Sequence, residues 1–180
     1  MNFDLDEKGS ALVTRLKEAI GQDAEKRMKD LRTGDTMECL NLFMDYLSRL
    51  ADIGYLGLGV QDVKNSTALV AAQEALATIS PSLFLAVESS ARVFGRLIAF
   101  YGKTEQKEEI LPLLEQGRYV GCVALTEGGM SVENEPFKTT AIPSGDHWSV
   151  TGSKDHVINA PMADQIAVIA QSGEELAVAL

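Results

Sequence analysis

The sequence contains only two cysteines, Cys39 and Cys122, among its 180 residues. Two cysteines so far apart do not make the dense disulfide framework that small secreted domains use. The first residues, Met1 to Asp6, also lack the basic segment and apolar run of a secretion signal. We therefore expect a reducing compartment, and the predicted location is cytoplasmic.

The sequence also lacks a long uncharged apolar run. Its most apolar stretch, residues 83–100, contains Glu88, Arg92 and Arg96, and three charges within about 20 residues argue against a membrane span. There is no surplus of basic residues either, because the formal net charge is −10. An acidic surface repels nucleic acid phosphates and anionic membranes, so we expect neither as a partner.

Histidine is scarce as well. With two histidines and two distant cysteines, no metal-ligand cluster is expected. Apolar residues are abundant instead: they make up 46% of the chain, beside 23% charged residues, which is a globular composition. The length suits one domain, or one domain and part of a second.

Apolar residues recur at helical spacing through the first two thirds of the sequence. This period predicts an amphipathic helix over roughly residues 5–30 and a second apolar helical stripe over residues 40–51. The segment Thr33-Gly34-Asp35 is expected to separate them. Asn65 or Ser66 can cap a third helix.

A longer helix is predicted after Ser80-Pro81, a start signal with serine as the cap and proline in the first turn. Its apolar residues surround most of the helix, so we expect it to be largely buried. Glu88 precedes Arg92 by four residues, the order that favours pairing. Thr104 can cap a last helix, which ends at Gln116-Gly117.

In the last third of the sequence the apolar period shortens to that of strands. Residues 120–125 read as a strand, and two hairpins are predicted with turns at residues 143–146 and 172–173. The predicted fold class is α+β: an N-terminal all-α helical domain over residues 1–118, then a partial antiparallel β domain over residues 119–180. A chain that ends within an apolar strand leaves an exposed edge, so we expect a fragment of a longer protein; a naturally short protein is the alternative.

One stretch within this β region raises a question of its own. The strand pattern at the start of residues 121–141 ends at Thr126-Glu127-Gly128-Gly129; the full stretch reads GCVALTEGGMSVENEPFKTTA. Glycines let the main chain turn without a side-chain collision, and threonine supplies a hydroxyl. Taken alone, the stretch reads as a hairpin turn with a capping threonine.

Four stretches in order resemble the acyl-CoA dehydrogenase family. ADIGYLGLGV resembles the glycine-rich loop after the family's second helix, and FYGKTEQKEEILPLLEQGRYVGCVALTE resembles the segment that leads into its β domain. FKTTA, followed by GDHWSVTGSKDHVINAP, resembles the next strands and the flavin-contacting turn. Together they cover nearly the whole chain in the family's order.

The resemblance implies a three-domain flavoenzyme with FAD as its cofactor. In the family, a carboxylate base removes the α-proton of an acyl-CoA thioester, and a hydride passes from the β-carbon to the flavin. A C-terminal four-helix bundle completes the flavin site and supplies the base in most members. No segment of this chain resembles that bundle, so we expect no catalytic residue in it and no activity from these residues alone.

The resemblance also implies partners and contacts. The partners are an acyl-CoA or acyl-carrier thioester, an electron-transfer flavoprotein and, for a full-length protein, further copies in a homo-oligomer. The residues implied to contact the flavin are Leu125, Thr126, His156 and Ile158. Those implied to contact the substrate are Ser90, Phe94, Ser131 and Val132, although core packing is an equal alternative for Phe94. Glu127 aligns with a structural acid of the family and not with its base.

The chain departs from the family at three of these positions. Val132 stands where a serine normally helps to hold the thioester, and Ile158 stands where a hydroxyl faces the flavin. His156 replaces a larger aromatic ring that would pack on the flavin. Two alternatives therefore remain open: a non-catalytic binding or assembly subunit, and a flavin oxidase or monooxygenase on the same fold.

Overall fold

A computed structural model describes residues 5–30, 36–61, 66–129, 135–145 and 147–180. The predicted break at Thr33-Gly34-Asp35 and the candidate cap Asn65 lie outside these ranges. The α-helices are α1 (Glu7–Ile20), α2 (Ala24–Asp30), α3 (Thr36–Asp52), α4 (Ser66–Ile79), α5 (Pro81–Glu88), α6 (Gly95–Tyr101) and α7 (Thr104–Glu115). A π-helical segment, Ser89–Phe94, joins α5 to α6.

The single helix predicted over residues 5–30 is in fact two, α1 and α2. They separate at Gly21, whose φ of 77° lies in the left-handed region that glycine adopts without a steric cost. The amide of Gly21 donates to the carbonyl of Lys17 and so caps α1. At the other end of α1, Asp6 accepts a hydrogen bond of 2.7 Å from the amide of Gly9.

The main core lies among the helices. α1 packs against α3 and α4, and α4 packs against α5. None of the helices in the described ranges has the length and apolarity that a bilayer crossing requires. The largest side chains that are fully buried in this core are Tyr46, Tyr55, Phe43, Leu16, Ile20, Leu47, Leu50, Leu76 and Leu83.

The long helix predicted after Ser80-Pro81 begins as expected, since the hydroxyl of Ser80 accepts from the amide of Leu83 at 3.2 Å. Two features differ from the prediction. The helix is interrupted by the π-helical segment, and it is buried on one side only because α2, α4 and β1 pack against that side. The large apolar side chains on its other side, at least half exposed, are Leu85, Val93 and Phe100.

The predicted cap of the last helix is also displaced by one residue. Thr104 is the first residue of α7, and the side chain of Gln106 reaches back to accept from the amide of Lys103 at 2.8 Å. After α7, Gly117 adopts a φ of 68°, which turns the chain towards the sheet.

Glu88 and Arg92 form the predicted pair, and they form it inside the protein. The closest nitrogen and oxygen lie 3.6 Å apart, with side chains 11% and 8% exposed. Tyr55 donates its hydroxyl to Glu88 at 2.7 Å, while Arg92 donates to the carbonyl of Tyr55 at 2.8 Å and lies over its ring. Gln73 donates to the other carboxylate oxygen at 2.5 Å. These hydrogen bonds offset part of the cost of removing the charges from water, while Nε and Nη1 of Arg92 have no hydrogen-bond partner among the described residues.

The sheet contains β1 (Gly121–Ala124), β2 (Thr140–Ser144), β3 (His147–Thr151), β4 (Gln165–Ser172) and β5 (Glu175–Ala179). Both predicted hairpins form: β2 pairs with β3 and β4 pairs with β5, each antiparallel. However, β1 and β2 both run parallel to β4, so the sheet is mixed and the prediction of an antiparallel sheet was wrong. Turn signals in a sequence predict only the pairing of strands that follow one another directly. They could not predict that β1 pairs with β4, because a long connection separates these two strands.

β1 lies directly against the π-helical segment. A Cβ atom at Gly121 would lie 1.9 Å from the ring of Phe94, far inside van der Waals contact. Phe94 is fully buried and stacks on Tyr119, with ring centroids 6.5 Å apart. Glycine at this position therefore allows the sheet to approach the helices closely.

The Glu88–Arg92 pair gives a first prediction. Arg92→Ala should lower the free energy of unfolding by about 3–5 kcal/mol, because it leaves the Glu88 carboxylate buried without its cation. Arg96→Ala is the matched control, since Arg96 is exposed one turn further on, and its effect should stay within about 0.5 kcal/mol. Urea denaturation measures both; similar small losses would contradict a structural role for the pair.

Candidate functional site

Two segments that are distant in sequence meet at the end of β1. The hydroxyl of Thr126 donates to the carbonyl of Asp155, and the amide of Asp155 donates to the carbonyl of Thr126 at 2.9 Å. This reciprocal pair joins the bend at residues 125–129 to the turn at residues 155–159. The two segments in which the four predicted flavin contacts lie are thus held together.

Glu127, within the bend, holds the bend in place through hydrogen bonds of its carboxylate. Its carboxylate accepts from the amides of Lys138 and Thr139, at 2.8 and 2.9 Å, and from the ammonium group of Lys154 at 2.9 Å. Burial by itself disfavours the charged form, but these hydrogen bonds outweigh it and lower the pKa of Glu127 to about 2. Both oxygens of this buried carboxylate are bound by donors within the protein, so the interpretation of Glu127 as a structural acid fits its surroundings.

Lys154 also connects the bend to the loop that follows β3. Besides its ion pair with Glu127, its ammonium group donates to the carbonyl of Leu125 at 2.9 Å and lies 4.1 Å from the centre of the Phe137 ring. Its side chain is only 7% exposed. Because Lys154 immediately precedes Asp155, it locks the start of the turn against the bend.

The two glycines of the bend, Gly128 and Gly129, meet different structural requirements. A Cβ atom at Gly128 would lie 2.8 Å from a carboxylate oxygen of Asp155, so a side chain there would displace that carboxylate. Gly129 has a φ of 72° and nothing within 4 Å of the place where a Cβ would be, so its requirement is conformational. Both glycines are exposed, which leaves this main chain open to a ligand.

The side chains predicted to contact a flavin lie at the surface around this contact. Leu125 is 37% and Ile158 is 38% exposed. His156 is exposed and has a φ of 54°, in the left-handed region that histidine enters more readily than most residues. Thr126 is half-buried. The bend and the turn are therefore not enclosed within the sheet, but their role in binding stays a prediction.

Ser90 and Phe94, predicted to line the substrate pocket, lie between the π-helical segment and β1. The hydroxyl of Ser90 accepts from the amide of Gly121 at 3.1 Å, and Ser90 is 1% exposed. Phe94 belongs to the buried cluster between the helices and the sheet. In this structure both residues contact the sheet side of the molecule, and their role in substrate binding stays a prediction.

The other two predicted substrate contacts, Ser131 and Val132, lie outside the described residues. Two residues that shape the bend, Lys154 and Asp155, were missed as site residues. Their partners are 27 and 29 positions away in sequence, so apolar periodicity does not reveal these contacts. The signal that existed was the position of Lys154 just before the predicted flavin turn.

Glu127 gives a prediction about pH. Because folding lowers its pKa from 4.5 to about 2, its charged form stabilises the fold by about 3 kcal/mol above pH 4.5, and this contribution is lost as the pH falls towards 2. Glu127→Gln should therefore be destabilised near pH 7 and should approach the wild type at low pH. Glu135→Gln, at an exposed position of the same loop, is the control. A constant difference in unfolding free energy from pH 7 to pH 2 would contradict this account.

No family model matches the chain. Among curated proteins, the rat mitochondrial long-chain specific acyl-CoA dehydrogenase is 35% identical over 78 residues, which is 43% of this chain and 18% of that protein. A probable acyl-CoA dehydrogenase from Bacillus subtilis is 26% identical over 174 residues, covering 93% of this chain and 29% of that protein.

Solved structures show the same likeness in three dimensions. Glutaryl-CoA dehydrogenase from Mycobacterium smegmatis, solved in complex with FADH2, superposes with a TM-score of 0.80 at 21% identity, over 97% of this chain and 45% of that one. The chain thus spans less than half the length of each of these three proteins. These relatives and this structural neighbour are acyl-CoA dehydrogenases, and the resemblance identified from the motifs is confirmed for the helical region and the start of the β region.

Proposed function

We propose that residues 1–118 and 119–180 are the helical domain and the first part of the β domain of an FAD-dependent enzyme of the acyl-CoA dehydrogenase type. The full-length protein would introduce a double bond between the α and β carbons of an acyl-CoA thioester. The observation that carries the proposal is the reciprocal contact between Thr126 and Asp155, which holds an exposed bend beside an exposed turn. The sequence relatives support the same class of reaction.

The residues at this contact fit the polar edge of a flavin ring. The exposed glycines Gly128 and Gly129 leave the main chain approachable, and a flat ring needs such close contact with backbone groups. The hydroxyl of Thr126 already donates a hydrogen bond to the carbonyl of Asp155, so its oxygen would accept a hydrogen bond from a ligand. His156 is exposed and can stack on an aromatic ring. Bound FAD would supply the acceptor for the hydride that leaves the β-carbon.

The chain's own part in this reaction is to hold the flavin and not to move the substrate's proton. Glu127 is buried, its carboxylate is bound by two amides and by Lys154, and these hydrogen bonds lower its pKa, so it is poorly suited to proton abstraction. The proposal therefore places the base elsewhere in the full-length protein. An acyl-CoA or acyl-carrier thioester as substrate, an electron-transfer flavoprotein as electron acceptor, assembly into a homo-oligomer and a cytoplasmic location are parts of the same proposal.

A second candidate function is supported by the chemistry of the turn. Ile158 presents an exposed apolar side chain where the resemblance leads us to expect a hydroxyl. A protein that kept the fold and lost the chemistry would serve as a binding or assembly subunit. Flavin content separates the two functions, because purified protein of the first kind carries a yellow chromophore and protein of the second kind takes up no FAD on reconstitution.

The proposal predicts that Thr126→Val weakens FAD binding by the full-length protein about 3- to 10-fold. The variant loses an acceptor for the flavin and the side-chain bond to Asp155, and one neutral hydrogen bond contributes about 0.5–1.5 kcal/mol. Thr14→Val is the control, because Thr14 is exposed on α1, which packs against α3 and α4 and not against the bend. Fluorescence titration gives both dissociation constants. Equal constants for Thr126→Val and the wild type would remove Thr126 from the site.

A further inference from the structure

Two hydrogen bonds cross from the helices to the sheet side of the molecule, one within the π-helical segment and one from the end of α5. One joins the hydroxyl of Ser90 to the amide of Gly121. The other joins the side-chain amide of Asn159 to the carbonyl of Ala86, at 2.8 Å. Asn159 ends the turn at residues 155–159, so the second bond connects the proposed flavin site directly to α5.

The end of α5 presents the carbonyl that Asn159 binds. The amide of Ser89 donates to the carbonyls of both Leu85 and Ala86, where the helix changes from the α to the π pattern. Where that pattern changes, the usual pairing of each carbonyl with the amide four residues on is disturbed, and π-helical turns frequently mark functional positions for this reason. The carbonyl of Ala86 accepts from Ser89 and has a second lone pair for Asn159.

Asn159 is fixed in three ways at once. It is 7% exposed, and its φ of 68° lies in the left-handed region that asparagine tolerates better than most residues. Its own carbonyl accepts from the amide of Met162 at 2.8 Å, which forms the short 3₁₀ turn Ala160–Met162. Its side chain is anchored 73 positions away in sequence. A residue so constrained determines where the preceding turn lies.

We propose that Asn159 is a positioning residue, which holds the turn at residues 155–159 against α5 and thereby keeps Asp155 in register with Thr126. This inference rests on the proposed function for its meaning, because the turn is one wall of the proposed flavin site. The geometry itself can be tested without flavin. Loss of the Asn159–Ala86 bond lets the turn move, and the hydrogen bond from the amide of Asp155 to Thr126 then opens more often.

The test uses Asn159→Asp, which keeps the size of the side chain but replaces the donor with a carboxylate that the carbonyl of Ala86 repels. Asn159→Gly is the second variant; it accepts the positive φ, buries no charge and decides the matter if the aspartate variant does not fold. Asn41→Asp makes the same chemical change at an exposed site on α3 and is the control.

Two measurements on the full-length protein separate this inference from the proposed function. Amide hydrogen exchange of Asp155, without flavin, should be about tenfold faster in both Asn159 variants and unchanged in the control. If the wild type binds FAD, its dissociation constant should rise about tenfold in the same variants. Unchanged exchange at Asp155 would overturn the positioning role. Faster exchange in a protein that binds no FAD would support the positioning role and overturn the proposed function instead.

Discussion

The site depends on one buried ion pair, between Glu127 and Lys154. Glu127 also binds the amides of Lys138 and Thr139, and Lys154 also binds the carbonyl of Leu125. Through these bonds the end of β1, the start of β2 and the loop after β3 meet at a single point. Burying two charges costs free energy that attraction alone often fails to recover. Here the amides and the carbonyl supply further hydrogen bonds, so the pair can fix the shape of the bend above it.

The π-helical segment joins the helices to the sheet. Gly121 lets β1 approach Phe94, and the hydroxyl of Ser90 then accepts the amide of Gly121. Residues on this helix that the family resemblance implied to be substrate contacts thus serve as the contact between the layers. Glu127 thus connects the bend to the sheet, and Ser90 connects the sheet to the helices.

The sequence allowed much of the fold to be predicted, because helix periods, the Ser80-Pro81 start and the two hairpin turns are local signals. The separation at Gly21, the π-helical segment and the parallel pairing of β1 with β4 were missed. Each of these features depends on tertiary packing or on backbone conformation. The periodicity of apolar residues gives no information about either. For the site, the resemblance led to Thr126 and to the turn. It covered Lys154 and Asn159 but assigned no role to either, because their partners lie 27 and 73 positions away.

The central claim is that the bend and the turn together form a surface that receives the edge of a flavin. Its most direct test is to titrate FAD into isotope-labelled full-length protein and to follow the backbone amide resonances. The account predicts that the largest shifts among residues 1–180 fall at residues 125–129 and 155–158. Binding of FAD with these resonances unmoved, and with shifts confined to other parts of the chain, would contradict it.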